Sequence, residues 1–441
     1  MFAATPPLEL LRVLLSRATT HGVQGRSRKL LIADAKKAHL NPKCCDDVYV
    51  ELPPEVAAGS AVCGKLMHWM YGFRPAAQAW ENFYAGLLEE AGFVRGVATP
   101  VAFCHRQRDL IGVVHGDDFV FCGYDEDLKW IACEMQKWFD VKVRAILGND
   151  PCDDKEIIIL GRVVKWESWG ISYEADPIHR QKILEFLNLD DTSKSLRGNG
   201  AKWDRPDFSA ELDSRELDSD MSTRFRSVVA RMNYLAADVP NIMFPVKETC
   251  RQMSKPTEHS WEMAKKVARY LIGVARVIWR FTWQTQASCL SIFSDSDWAG
   301  CLQTRKSSSG GCIMLGNHLI KAWSSTQASL ALSSAEAEYY ALVEAATRGL
   351  GLKHAMEELA YNVEIEAWTD SSAAKAFASR RGLGKMRHLE VRQLWLQAAV
   401  TDGKLVLRKI DGKVNPADLM TKYLAHGEIV RHIERMNVKT L

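Results

Sequence analysis

Two adjacent aspartates, Asp117 and Asp118, interrupt an apolar run, Leu110-Ile-Gly-Val-Val-His-Gly-Asp-Asp-Phe-Val-Phe-Cys-Gly123, that otherwise reads as two short strands around a tight turn. Neighbouring carboxylates repel one another and lose hydration on burial, so holding them together calls for a divalent cation or strong donors between them. The pair is therefore a candidate metal site. A plainer reading makes Gly116-Asp117-Asp118 a solvent-facing hairpin turn, because glycine and aspartate are preferred there. Both readings stand on these residues alone.

A second set of acids lies in the last third of the chain. Asp295 and Asp370 end the apolar runs Ser291-Ile-Phe-Ser-Asp295 and Ile365-Glu-Ala-Trp-Thr-Asp370, and strand ends at a sheet edge are where open α/β folds place their sites. Between them, Glu338 shares a stripe with Leu342, Ala345, Gly349, Leu352, Met356 and Leu359 at helical spacings, which turns its carboxylate toward a core. Glu336 lies on nearly the opposite face and follows Ser333 at the spacing of a capping box. Asp418 opens a final helix after Asn415-Pro416, where alone it reads as first-turn charge complementing the helix dipole. On a strand, a helix, a second strand and a terminal helix, these four acids have the makings of a nuclease. Two divalent ions about 3.5 to 4 Å apart would activate water for in-line attack on a phosphodiester.

The elements that must position these acids follow from periodicity. The spacing predicts a helix over 8–24, a strand over 29–34, a long helix over 62–92, the aspartate hairpin, a helix over 127–139 and a β ladder over 156–173. This alternation predicts a mixed α and β domain ending near residue 175. Residues 176–285 read as an all-helical connector interrupted by a polar loop, Asp190 to Asp220. From Leu290 the pattern gives a strand, a Gly310-Gly311 break, two further strands, a helix over 334–361, a strand Val363 to Thr369, helices, a strand Leu405 to Ile410 and a closing helix from Pro416. That order predicts a compact α/β domain with a mixed five-stranded sheet over 286–424, followed by a tail over 425–441.

Composition narrows the function classes. A chain of 441 residues, 47% hydrophobic and 25% charged, supports two or three ordinary cores. The apolar runs are strand-sized, and the opening Met-Phe-Ala-Ala-Thr-Pro-Pro lacks a signal peptide's basic and apolar regions. An intracellular, cytoplasmic protein without a membrane partner is expected. The 11 scattered cysteines, with no C-x-x-C pair, argue against a disulfide framework or a zinc ribbon. The net charge of +3 is too small to name a partner, so local basic patches matter more. One comprises Arg26, Arg28, Lys29, Lys36 and Lys37; another runs from Arg380 and Arg381 through Lys385, Arg387, Arg392, Lys404, Arg408 and Lys409 to Lys413. Either also fits an ordinary solvated face.

Six stretches together resemble one family. They are Ala33-Asp-Ala-Lys-Lys-Ala-His-Leu40, Met70-Tyr-Gly-Phe-Arg-Pro-Ala-Ala-Gln-Ala-Trp80, His115-Gly-Asp-Asp118, Phe293-Ser-Asp-Ser-Asp-Trp-Ala-Gly300, Ser333-Ser-Ala-Glu-Ala-Glu-Tyr339 and Arg387-His-Leu-Glu-Val-Arg392. In this order the chain resembles the C-terminal part of a copia-type (Pseudoviridae) LTR retrotransposon polyprotein. The resemblance implies an α+β reverse transcriptase palm with a helical thumb or connection, followed by an α/β ribonuclease H-like domain. It implies that Asp34, Asp117 and Asp118 bind two Mg²⁺ ions at a polymerase site, where Asp34 alone reads as a charged strand end. It further implies that Leu160-Gly161 steadies the primer, and that Asp295, Glu338, Asp370 and Asp418 hold Mg²⁺ or Mn²⁺ in the nuclease. The implied partners are an RNA template, a DNA primer, an RNA:DNA hybrid, deoxynucleoside triphosphates and other Pol polyprotein parts. Hybrid phosphates would meet Arg380, Arg381, Lys385, Arg387, His388 and Arg392. The implied setting is the cytoplasm, in virus-like particles, with access to the nucleus.

The chain departs from the family pattern at several points. His115-Gly116 stands where the family has an aromatic and a small aliphatic, and Gly116 adds flexibility where a rigid metal platform is expected. His39 replaces a bulky aromatic that screens the sugar 2′ position, which puts discrimination against ribonucleotides in question. Pro75 replaces a glutamine that would contact the nucleotide. Only 33 residues precede Asp34, too few for the family's fingers, so a polyprotein fragment or a truncated gene model with an impaired polymerase half is expected. The ribonuclease H acids show no such losses. The competing reading is a catalytically silent remnant that only binds nucleic acid.

Overall fold

In a computed structural model, the structure describes residues 6–22, 25–57, 62–199, 214–384, 388–389 and 391–441, without the side chain of Arg392. The chain forms two compact units, one of Met1–Lys155 with His354–Asn362, the other of Glu156–Lys353 with Val363–Leu441.

In the first unit, the strands are β1 (Lys29–Ala35), β2 (Tyr49–Glu51), β3 (Cys63–Lys65), β4 (Val94–Arg95), β5 (Ala102–His105), β6 (Leu110–His115), β7 (Asp118–Gly123) and β8 (Val141–Leu147). Six of them form an antiparallel sheet in the order β4-β5-β6-β7-β1-β8, while β2 and β3 form a ribbon of their own. With a neighbour on each side, β1 buries nearly its whole length, which is why it reads as an apolar run rather than as an alternation. Leu31 and Ala33 of β1, Phe119 and Phe121 of β7, and Trp80, Leu128 and Ile131 from the helices Ala76–Glu90 and Asp125–Trp138 share one buried cluster. Trp80 meets Tyr84, Phe119 and Phe139 edge to face at 5.2 to 6.3 Å. Each such pair contributes about 0.5 to 1.5 kcal/mol beyond the area it buries.

The helix expected over 62–92 begins only at Ala76. Gly72 at φ +91° and Pro75, whose ring suits a helix start but not an interior, stop it from extending backward, and Cys63–Lys65 pairs as a strand instead. The first basic patch is largely neutralised. Arg28 pairs with Asp109, Lys29 with Asp125, Asp150 and Asp153, Arg26 with Glu126, and Lys36 with Asp140.

The second unit contains two sheets. One runs β18-β12-β11-β10-β9, fully antiparallel, from β9 (Glu156–Ile159), β10 (Arg162–Glu167), β11 (Gly170–Ala175), β12 (Val277–Thr282) and β18 (Val438–Thr440). The expected ladder over 156–173 is present, but β11 pairs with β12 from a segment read as all-helical, and the tail contributes the helix His426–Arg435 and β18. Such partners are distant in sequence, and periodicity carries no sign of them. The helices Ser219–Ala236, Met243–Cys250 and Glu258–Gly273 follow the expected helical segment, and part of the polar loop from Asp190 to Asp220 lies outside the described residues.

The other sheet runs β15-β14-β13-β16-β17, from β13 (Cys289–Asp297), β14 (Ser308–Leu315), β15 (His318–Thr326), β16 (Glu364–Thr369) and β17 (Val406–Lys409). The first three strands are antiparallel and the last two parallel, a mixed five-stranded sheet. Gly310-Gly311 is no break: both lie inside β14, with Gly310 opposite Asp295. A Cβ on Gly310 would sit 2.6 Å from the Thr421 side chain and 2.7 Å from Met420, so glycine here serves a close approach rather than a turn. The closing helix from Pro416 is a single 3₁₀ stretch, Pro416–Met420, followed by the separate helix His426–Arg435.

Candidate metal centre

Adjacent parallel strands bring the first two acids of the second unit together. Ser294 of β13 pairs with Thr369 of β16, so Asp295 and Asp370 follow side by side at the same end of the sheet. The helix Ser334–Glu358 supplies Glu338. Its stripe mates Leu342, Ala345 and Met356 are fully buried, as the helical spacing predicts. One oxygen each from Asp295, Glu338 and Asp370 lies within 4.8 Å of the others, the one such group among the described residues.

The surroundings of these three oxygens suit a cation. Asp295 is 1% exposed and accepts hydrogen bonds from Thr421 Oγ1 and Lys422 Nζ. Glu338 Oε1 accepts from the Ser296 N–H at 3.2 Å, while its Oε2 is buried with no hydrogen-bond partner. An orphaned buried carboxylate oxygen is costly unless something positive meets it, so the donor set fits a divalent ion with oxygen ligands. Burial, then repulsion from Asp295 and Asp370, pushes the Glu338 carboxyl up to about 9. Burial and Asp295 likewise raise Asp370, against the pull of Lys422 and Lys409.

Asp418 stands slightly apart. The buried Asn415 caps its 3₁₀ turn by accepting from the Ala417 N–H, and donates to the Ser294 carbonyl at 2.9 Å. This ties the turn to the strand that carries Asp295. Asp418 lies outside the converging group and is joined to Asp295 through Lys422, whose Nζ lies 2.9 Å from Asp418 and 3.3 Å from Asp295. Burial, then Asp295, raises the Asp418 carboxyl well above the usual range, while Lys422 opposes the shift.

Thr421, Lys422 and Asn415 are contributors that sequence reasoning missed. The spacing of Asp418 and Lys422, one helical turn apart, was the available signal for the lysine. Asp297 was also missed, although it follows Asp295 on the same face of β13. Its carboxyl is pushed up to about 6 by burial, against Lys422 and Lys247. Glu336 does have the cap geometry: its N–H donates to Ser333 Oγ at 3.2 Å. It is nonetheless buried, because its carboxylate takes bonds from the Leu332 N–H, Tyr340 and His388.

In the first unit, Asp34 of β1 is the direct partner of Asp118 of β7. Asp117 occupies the two-residue turn with Gly116, whose φ is +66° while that of Asp117 is not positive. This is the signature of a type II′ hairpin, in which glycine at the first turn position fits without strain. The turn is also anchored, its carbonyls accepting from Trp80 Nε1 at 2.8 Å and from the Ala35 N–H at 2.9 Å. The flexibility expected from Gly116 is therefore a turn requirement. Asp118 pairs with Arg144 at 3.2 Å, and Asp117 is exposed. Burial raises the Asp118 carboxyl, Arg144 opposes this, and Asp117 and Asp34 add to it. The three acids are neighbours, but they are not a group converging within 4.8 Å.

Other expected contacts are scattered. Arg380 and Arg381 are exposed, and Arg380 lies over the Phe377 ring. His388 pairs with Glu336 at 2.9 Å. Lys385, Arg387 and the Arg392 side chain lie outside the described residues. Leu160 and Gly161 both have positive φ in the turn between β9 and β10, a strained position for leucine. His39 packs against Tyr71, their ring centroids 4.5 Å apart and the planes tilted by 32°.

No family model matches the chain. It is 24% identical over 453 residues to the retrovirus-related Pol polyprotein from transposon TNT 1-94 of Nicotiana tabacum, covering 97% of this chain and 32% of that protein. It is 26% identical over 429 residues to the corresponding polyprotein from transposon RE1 of Arabidopsis thaliana, covering 94% of this chain and 28% of that one. The chain thus spans about a third or less of these curated relatives. Its fold is similar to the foamy viral protease-reverse transcriptase solved with an RNA/DNA hybrid, with a TM-score of 0.53 and 12% identity over 90% of this chain and 45% of that one.

Proposed function

We propose that this chain, whose homologues are retrovirus-related Pol polyproteins of copia-type plant transposons, hydrolyses the RNA strand of RNA:DNA hybrids through Asp295, Glu338, Asp370 and Asp418. It is the reverse transcriptase and ribonuclease H region of such a polyprotein. The observation that carries this reading is the convergence of one buried and two half-buried carboxylates, one with an oxygen that nothing else satisfies. Divalent ions held there, Mg²⁺ or Mn²⁺, would lower the pKa of an attacking water and neutralise charge on the scissile phosphodiester. Asp295, fixed by Thr421, would be one ligand, and Glu338 would offer its free oxygen. Asp370 closes the group from the neighbouring strand, and Asp418 is brought close by the cap of Asn415. Exposed Arg380 and Arg381 are suited to hybrid phosphates. On this reading the ribonuclease H-like domain spans 286–424, and the protein works in the cytoplasm, in virus-like particles.

The first unit is the polymerase palm, with Asp34, Asp117 and Asp118 as its acids and with template, primer and deoxynucleoside triphosphates as partners. Here two observations favour the second reading, a unit that binds nucleic acid without extending a primer: Arg144 holds Asp118, and the three acids do not converge. The test is cleavage of a labelled hybrid by the whole chain in Mg²⁺ or Mn²⁺, with primer extension followed in parallel. An intact hybrid at every metal concentration, with Asp370→Asn indistinguishable from the parent, would sink the nuclease reading.

A further inference from the structure

The four acids of the second unit divide into two kinds of pairing. Asp295, Glu338 and Asp370 meet one another directly. Asp295 and Asp418 in addition share the Lys422 ammonium, 3.3 Å from one carboxylate and 2.9 Å from the other. We infer that Lys422 is a tethered cation that competes with a divalent ion for the Asp295 and Asp418 carboxylates. The inference rests on the nuclease reading for its purpose, though not for its test.

Three observations support it. First, Lys422 stands one helical turn beyond Asp418 and reaches back to Asp295 across more than a hundred residues of sequence, so one ammonium contacts both acids. Second, its side chain is 40% exposed while that of Asp295 is 2% exposed, and Lys422 lines an open pocket with Asp297 and Tyr423, so the lysine borders solvent where Asp295 does not. A lysine head is a compact charge on a flexible stem with three rotatable donors, suited to leaving and returning. Third, Thr421 holds Asp295 independently, so the carboxylate keeps its place when the ammonium departs. Two-metal hydrolysis needs both cations about 3.5 to 4 Å apart. Glu338 keeps an open oxygen here, while Asp295 and Asp418 are guarded by a positive charge.

The test counts Mn²⁺ bound to the whole chain, without nucleic acid, by electron paramagnetic resonance and titration calorimetry. Lys422→Met keeps the stem and removes the charge; it is expected to bind its weaker Mn²⁺ ion at least about tenfold more tightly than the parent, with Lys422→Arg resembling the parent. Equal or weaker Mn²⁺ binding by Lys422→Met would overturn the inference. Should that variant fold poorly, the Nζ resonance of Lys422 in the parent protein gives a second readout. It is expected to move on saturation with Mg²⁺, and a resonance that stays put would equally overturn the competition. Loss of hybrid cleavage by the parent protein would instead strike the nuclease reading and leave the metal competition standing or falling on these binding data.

Discussion

Asp34 and Asp118 face each other across two strands in the first unit, with Asp117 on an exposed turn and Arg144 against Asp118. In the second unit, Asp295, Glu338 and Asp370 converge from two parallel strands and a helix, with Asp295 almost wholly buried. The difference lies in the supports. A hairpin offers two strands and a turn, so its acids are spread along one edge. A parallel pair crossed by a helix can aim three side chains at one point from different directions. Each site has a cation against it, Arg144 on Asp118 and Lys422 on Asp295 and Asp418, but the deep one also keeps a buried carboxylate oxygen of Glu338 without a partner.

The largest effect that would break this comparison is on catalysis. Asp295→Asn and Asp370→Asn are each expected to lower hybrid cleavage by at least about a hundredfold. Asp118→Asn should leave cleavage unchanged in the same assay. If Asp118→Asn also abolished cleavage, the separation of the two sites would be wrong.

Next in size is a pH effect confined to the deep site. The Glu338 carboxyl is raised from 4.5 to about 9, so across that window the folded state binds more protons than the unfolded state. In chelator this group's contribution to stability must then fall as pH rises. The melting temperature is expected to drop between pH 5 and 8, Glu338→Gln should flatten the drop, and Mn²⁺ should oppose it with an affinity that grows with pH. A parent protein as steep as Glu338→Gln would remove Glu338 as the source.

A smaller effect sharpens the account of the shallow site. Arg144→Ala removes the group that opposes protonation of Asp118, so carboxyl NMR should show Asp118 titrating at higher pH than in the parent. The smallest is structural: Gly116→Ala at φ +66° is expected to cost about 1 to 2 kcal/mol of stability while sparing hybrid cleavage.

Much of the deep site was legible because its acids obey local rules. Asp295 and Asp370 close apolar runs, and Glu338 continues a stripe that the fold buries. The aspartate hairpin was equally legible as a strand, a turn and a strand, although the exposure of Asp117 beside a half-buried Asp118 was not. The contacts of Lys422, Thr421 and Asn415 with the strand of Asp295 were hidden because they span more than a hundred residues and depend on where a 3₁₀ turn lands. The same distance hid the pairings of β12 with β11 and β18, which carry no signal in either strand alone. Glu336 looked like a surface cap, and its burial is set by Tyr340 and His388 closing over it.

Gly310 lies opposite Asp295 and leaves the space that Met420 and Thr421 fill. The neighbourhood of the fourth acid is therefore shaped by a hydrogen atom where other residues carry carbon. Gly310→Ala would push the turn bearing Asp418 outward without altering a single ligand, and hybrid cleavage should fall with every carboxylate intact. Residues that act through what they lack escape any search for reactive groups, and a metal site can be lost at a position that never touches metal.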